Sequence, residues 1–68
     1  MENLRTLREK DGFTHQNMAD FLDISKAFYW QIENDKRTLS YKMAIKIASI
    51  FHKTPDEIFY NHFKNELH

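Results

Sequence analysis

The sequence predicts an all-α protein, a compact bundle of five short helices. Three observations carry that expectation. Gly and Pro occur once each, β-branched residues are scattered and never alternate in runs, and apolar residues recur three and four apart between capping residues.

A first helix covers about Glu2 to Lys10, with Leu4 and Leu7 on one face. Asp11-Gly12 stops it, because Gly takes the left-handed conformation of a helix end at little cost. Phe13 then enters the core. Thr14 is placed to cap a second helix, in which Met18, Phe21 and Leu22 fall at i, i+3 and i+4 and are expected to face inward. That helix stops near Leu22, and Asp23 carries the chain through a left-handed turn, which Asp tolerates better than most residues. Ser25 caps a third helix from about Lys26 to Ile32 or Glu33, with Tyr29 and Ile32 inward and Asn34-Asp35 as its stop. Ser40 caps the fourth. Its Met43, Ala44, Ile47, Ala48, Ile50 and Phe51 form the most apolar stripe in the chain, so it is expected to be the most buried element. Thr54-Pro55-Asp56-Glu57 combines a cap, Pro at the first helical position, acids in the first turn and Glu in capping-box register. It opens a fifth helix carrying Ile58 and Phe59.

Sixty-eight residues suit a single domain, with residues 1–60 as the helical domain and 61–68 as an extension of the fifth helix. No linker, internal repeat or large catalytic cleft is expected. A domain of this size buries only about 60% of the surface its unfolded chain exposes. Six Phe, three Tyr and one Trp supply bulky core material to compensate. The absence of Cys excludes disulfides and thiolate metal sites. The four His (His15, His52, His62 and His68) do not assemble a metal site either: Pro55 separates His52 from Asp56, and there is no His-x-x-x-His pair. With no Gly-rich loop and no Ser/His/Asp set, neither an enzyme nor a cofactor is expected. No apolar run approaches the roughly 18 residues of a membrane span, and no signal segment follows Met1, so a soluble, non-exported, cytoplasmic protein is expected.

The informative stretch is His15 to Ile32. Two short helices flank a tight turn, with Met18, Leu22, Ile24, Tyr29 and Ile32 apolar and Ala19 small. Ala19 lets the helices cross closely, Ile24 plugs the turn, and Tyr29 and Ile32 pin the third helix. This is the logic of a helix-turn-helix, in which the first helix props the second so that its outer face can enter a DNA major groove. On a helical wheel, Ala27, Trp30, Gln31 and Asn34 lie opposite Tyr29 and Ile32, with Lys26 on a flank. Gln31 is suited to bidentate pairing with adenine, Lys26 to guanine or phosphate, Ala27 and Phe28 to a thymine methyl, and Trp30 to phosphate or sugar.

The chain also resembles the lambda-repressor-like, Xre-type helix-turn-helix family. The resemblance runs from Leu4-Arg5-x-Leu7-Arg8 through Phe13-Thr14-x-Gln16, Met18-Ala19, Ile24-Ser25 and Tyr29-x-x-Ile32-Glu33-Asn34. It continues through Lys36-Arg37, Ser40, Ala44-x-x-Ile47-Ala48 and Asp56-Glu57-Ile58-Phe59. It implies a bundle that binds a double-stranded DNA operator, usually as a homodimer, and regulates transcription as a repressor. By the same resemblance, Thr14, His15, Ser25, Asn34, Lys36 and Arg37 stand where the family contacts phosphate, and Arg8 and Glu33 stand where it forms an internal salt bridge. The family usually has Gly where Asp23 and Asp35 stand, Gln for His15 and Pro for Leu39. It seldom carries aromatics like Phe28 and Trp30 on the third helix.

Phe59, Phe63 and Leu67 continue an apolar stripe at i, i+4 and i+8 and are candidates for a dimer interface, the alternative being packing on the first helix of the same chain. A domain of this size leaves no room for a ligand-sensing module, so control is expected from a regulatory protein partner, from concentration or from degradation. The competing function is a protein-interaction module on the same bundle, antitoxin-like, with little direct DNA readout. Ten Lys and Arg balance ten Asp and Glu, whereas polyanion binders are usually basic overall. The balance conceals a segregation: Lys36, Arg37, Lys42, Lys46 and Lys53 span a stretch without any acid. DNA binding is therefore expected through a small basic rim and uncharged readers, with dimerisation raising a modest monomer affinity.

Overall fold

The computed structural model describes residues 1–64. They form α1 (Glu2–Lys10), α2 (His15–Leu22), α3 (Lys26–Glu33), α4 (Tyr41–Ile50) and α5 (Pro55–Lys64), with no strand among the described residues. Four of the five starts have a side-chain cap, α1 being the exception. The Thr14, Ser25 and Ser40 hydroxyls accept from the third amide of their helices, Asn17, Phe28 and Met43, at 3.0, 3.0 and 3.1 Å. At α5 the Glu57 carboxylate accepts from the Thr54 amide at 3.0 Å, while Thr54 Oγ1 accepts from the Glu57 amide at 3.4 Å.

The first four helices end alike. Gly12, Asp23, Asp35 and His52 have φ of 74°, 56°, 59° and 57°. After each, the next amide reaches back five residues: Phe13 to Arg8, Ile24 to Ala19, Lys36 to Gln31 and Lys53 to Ala48, at 3.0, 3.0, 2.8 and 3.0 Å. This is the Schellman closure, which satisfies helix-end carbonyls and turns the chain sharply. Only Gly12 adopts it without a Cβ penalty.

Helices α2 and α3 pack closely, α4 lies against α2 and α5, and α1 bridges α3 and α5. The core joins Leu4, Met18, Ala19, Leu22, Tyr29, Ile32, Leu39, Ala44, Ile47, Ala48, Phe51, Ile58 and Phe59. Two expectations fail here. Phe21 is 53% exposed, with its ring edge-on to Phe13 at 5.1 Å. The inward face of α2 is centred on Met18, Ala19 and Leu22, which swings Phe21 to the rim. Nor is α4 the most buried element, since it buries three of ten residues where α2 and α3 each bury three of eight. Helices α2 and α3 pack more closely on each other than any other pair, which covers them more fully than the apolar content of α4 suggests.

Phe59 is 1% exposed and therefore cannot offer a dimer surface. Phe63 meets it at 6.3 Å, ring edge to face, and packs half-buried on the same core. Leu67 lies outside the described residues. Among the described residues, no helix is long and apolar enough to cross a membrane.

Candidate nucleic-acid interface

Two left-handed turns, at Asp23 and Asp35, flank α3 and define how it is presented. Asp23 redirects the chain between α2 and α3, and the small, fully buried Ala19 allows the two helices to approach. Tyr29 and Ile32 are buried at 0% and 1% exposure, so α3 is anchored along one face. On the other, Lys26, Ala27 and Trp30 are exposed and Gln31 is half-buried. These four residues line an open, mainly apolar depression.

The single acid of α3, Glu33, turns inward and is fully buried. Arg8 donates to it twice, Nε to Oε2 at 2.8 Å and Nη2 to Oε1 at 3.0 Å. A third donor, Arg8 Nη1, binds the Phe13 carbonyl at 2.8 Å and ties α1 to the start of the α2 segment. Arg5 Nε approaches Glu33 Oε1 to 3.4 Å and His15 Nε2 to 3.7 Å. Burial pushes the Glu33 carboxyl upward, but the hydrogen bonds from Arg8, the nearby Tyr29 hydroxyl and the charges of Arg8 and His15 outweigh it and hold its pKa below the ordinary value. The same contacts raise the Arg8 pKa against the opposing effect of burial. Desolvation, with the Glu33 carboxylate nearby, raises the Tyr29 phenol far above its ordinary value. The buried Tyr29 hydroxyl has no hydrogen-bond partner among the described residues.

The remaining candidates divide by what already occupies them. The Thr14 and Ser25 hydroxyls are engaged as caps, at the helix starts, where the first amides have no intrahelical partner. Thr14 has a reciprocal partner that sequence reasoning passed over, since Asn17 Oδ1 accepts from the Thr14 amide at 2.9 Å. Asn is a short stand-in for the usual Glu or Gln of a capping box, and its position three residues after Thr14 was the available signal. His15 turns toward Glu33 and the Tyr29 ring, 6.0 Å between centroids. Asn34 is likewise committed, donating to the Trp30 carbonyl at 2.9 Å and accepting from Arg5 at 3.1 Å.

Arg37 stacks over the Phe28 ring at 4.2 Å and donates from Nε to Gln31 Oε1 at 3.0 Å. Lys26 and Lys36 are exposed and form no ion pair among the described residues, whereas Lys53 lies 3.8 Å from Glu57. No group of three or more His, Cys, Asp or Glu that could hold a metal occurs among the described residues.

Comparison with known proteins agrees with this architecture. A family model described as a helix-turn-helix domain matches residues 1–61. The uncharacterized HTH-type transcriptional regulator YqaE of Bacillus subtilis (strain 168) is 41% identical over 49 residues, 72% of this chain. The match spans 42% of that relative's length. No solved structure matches at a significant level.

Proposed function

Because the chain belongs to the helix-turn-helix family, of the Xre-like type, we propose that it is a sequence-specific double-stranded DNA-binding regulator of transcription. In this reading α3 enters the major groove and residues 1–60 carry the binding fold; of the expected extension 61–68, residues 65–68 lie outside the described residues. The observation that carries the reading is the outer face of α3. Lys26, Ala27, Trp30 and Gln31 face outward without a carboxylate, while the helix's only acid is turned inward against Arg8. An exposed acid there would repel phosphate, whereas this face joins a cation and an amide to apolar surface, the chemistry that reads base edges.

Around it, the starts of α2 and α3 offer amides to phosphate, and Lys36 and Arg37 contribute charge. The protein acts as a homodimer in this reading, because one α3 spans only a few base pairs and paired copies match paired half-sites. Repression is its simplest mode, since occupying a promoter excludes polymerase without a dedicated activating surface. The cytoplasm is where such a regulator meets its DNA.

The test is selection of bound duplexes from a random pool with the full chain, followed by titration of the best duplex over a range of salt. The expected result is an enriched sequence with half-sites about one helical turn apart, and log K falling linearly with log salt. Failure to enrich any sequence, with no salt-dependent binding, rejects DNA readout and favours the protein-interaction module.

A further inference from the structure

The orientation of the Gln31 amide is set by a residue outside its helix. Arginine carries only donors, so the Arg37 Nε hydrogen that reaches Gln31 at 3.0 Å must meet the carbonyl oxygen and not the amide nitrogen. Arg37 is itself held in place by the Phe28 ring, 4.2 Å from the guanidinium carbon, a stacking that suits a planar cation. With Oε1 engaged, the available half of Gln31 is its Nε2 donor pair. Pairing with adenine N6 and N7 needs both halves of the amide, one accepting and one donating. An adenine N6 donor would have to share Oε1 with the guanidinium and use its second lone pair, so the Arg37 contact disfavours bidentate adenine pairing and leaves the Nε2 donors as the uncommitted end of the amide.

Beside this donor lies the apolar depression formed with Lys26, Ala27 and Trp30. Trp30 is 45% exposed, a large apolar surface to leave in water on a helix otherwise well anchored. The face thus offers a hydrogen-bond donor next to an apolar hollow. In the major groove one base complements that pair: thymine presents an acceptor, O4, beside its C5-methyl group. Guanine presents acceptors without a methyl, and the adenine and cytosine edges carry amino donors.

Building on the DNA-binding reading above, we propose that α3 selects thymine, with Gln31 Nε2 donating to O4 and the methyl group seated between Ala27 and Trp30. Arg37 is a positioning residue in this arrangement. It fixes which end of the Gln31 amide faces the base.

The test uses the full chain and the best duplex from the random-pool selection, with each thymine replaced in turn. Deoxyuridine removes the methyl and keeps O4. 5-Methyldeoxycytidine, paired with guanine, keeps the methyl and replaces O4 with an amino donor. At one or more positions, deoxyuridine is expected to weaken binding about fourfold, the worth of one buried methyl-sized group. The 5-methyldeoxycytidine duplex is expected to lose about tenfold or more at the same position. Trp30→Ala should abolish the deoxyuridine effect, and Arg37→Met, which frees the Gln31 carbonyl, should move the preference from thymine toward adenine. The duplex substitutions act on the wild-type protein, so their outcome does not depend on whether a variant folds. A selected duplex that tolerates every deoxyuridine replacement overturns thymine readout and leaves DNA binding standing. If no duplex is selected at all, the DNA-binding reading fails and this inference with it.

Discussion

Arg8 of α1 grips Glu33 at the end of α3 through two parallel hydrogen bonds of 2.8 and 3.0 Å, and both side chains are withdrawn from solvent. Such a fork fixes α3 relative to α1 in angle as well as distance. Glu33→Ala leaves the Arg8 charge buried without its partner and should cost about 3 kcal/mol, a large share of the stability of so small a domain. Replacing both residues with apolar ones of similar size, Arg8→Met with Glu33→Leu, should cost less than Glu33→Ala alone. Urea unfolding followed by circular dichroism checks this. A double variant weaker than the single would mean that the pair adds net stability beyond mutual neutralisation.

The same carboxylate sets an acid limit. Its pKa lies below 4.5 in the folded protein and returns toward that value on unfolding. Between the two values the unfolded chain binds the extra proton. The pair's contribution is thus complete above about pH 4.5 and is lost as pH falls through the depressed folded value. Urea midpoints measured from neutral pH down to about pH 3 should fall for the wild type and fall less for Glu33→Gln. Parallel curves would assign the acid sensitivity to other groups.

Asp23 closes α2 in the left-handed region at φ 56° and also places a negative charge at the helix's negative end. Gly removes both penalties at the cost of a more flexible unfolded chain. Asp23→Gly should therefore raise stability by about 0.5 kcal/mol or more. A lowered thermal midpoint would show that the Asp side chain contributes something the backbone geometry does not explain.

Trp30 and Gln31 lie on the outer face of α3 and contribute little to the core. The double variant Trp30→Ala, Gln31→Ala should keep the wild-type helical signal while losing preference for the selected duplex over a random one. Its weak salt-dependent binding should remain, because the phosphate contacts proposed above lie on other residues. Fluorescence anisotropy against both duplexes measures this. An unchanged ratio of affinities removes these residues from readout.

Helix ends were legible in the sequence wherever one side chain could reach a backbone group within three residues. Thr14, Ser25, Ser40 and Thr54 all hold their helix starts as expected, and Gly12 and Asp23 both turn left-handed. The inward face of α3 followed from periodicity, with Tyr29 and Ile32 buried. Periodicity misjudged Phe21 because an eight-residue helix offers too few turns to centre its buried face. It misjudged Phe59 as an interface residue because an apolar stripe does not reveal whether the same chain already covers it.

The sequence by itself determined the five helices, most of their caps and turns, and the acid-free outer face of α3, because those depend on residues within about one helical turn of each other. Tertiary structure decided what the polar side chains are free to do. His15 turns to Glu33, Asn34 is taken by Arg5, and Gln31 has its carbonyl oxygen claimed by Arg37. His15 and Arg5 reach their partners from other helices, and Arg37 reaches Gln31 from the segment after α3. Where those partners stand depends on how the turns and the core orient the helices, so a side chain's vacant donor or acceptor is settled only once the helices are packed.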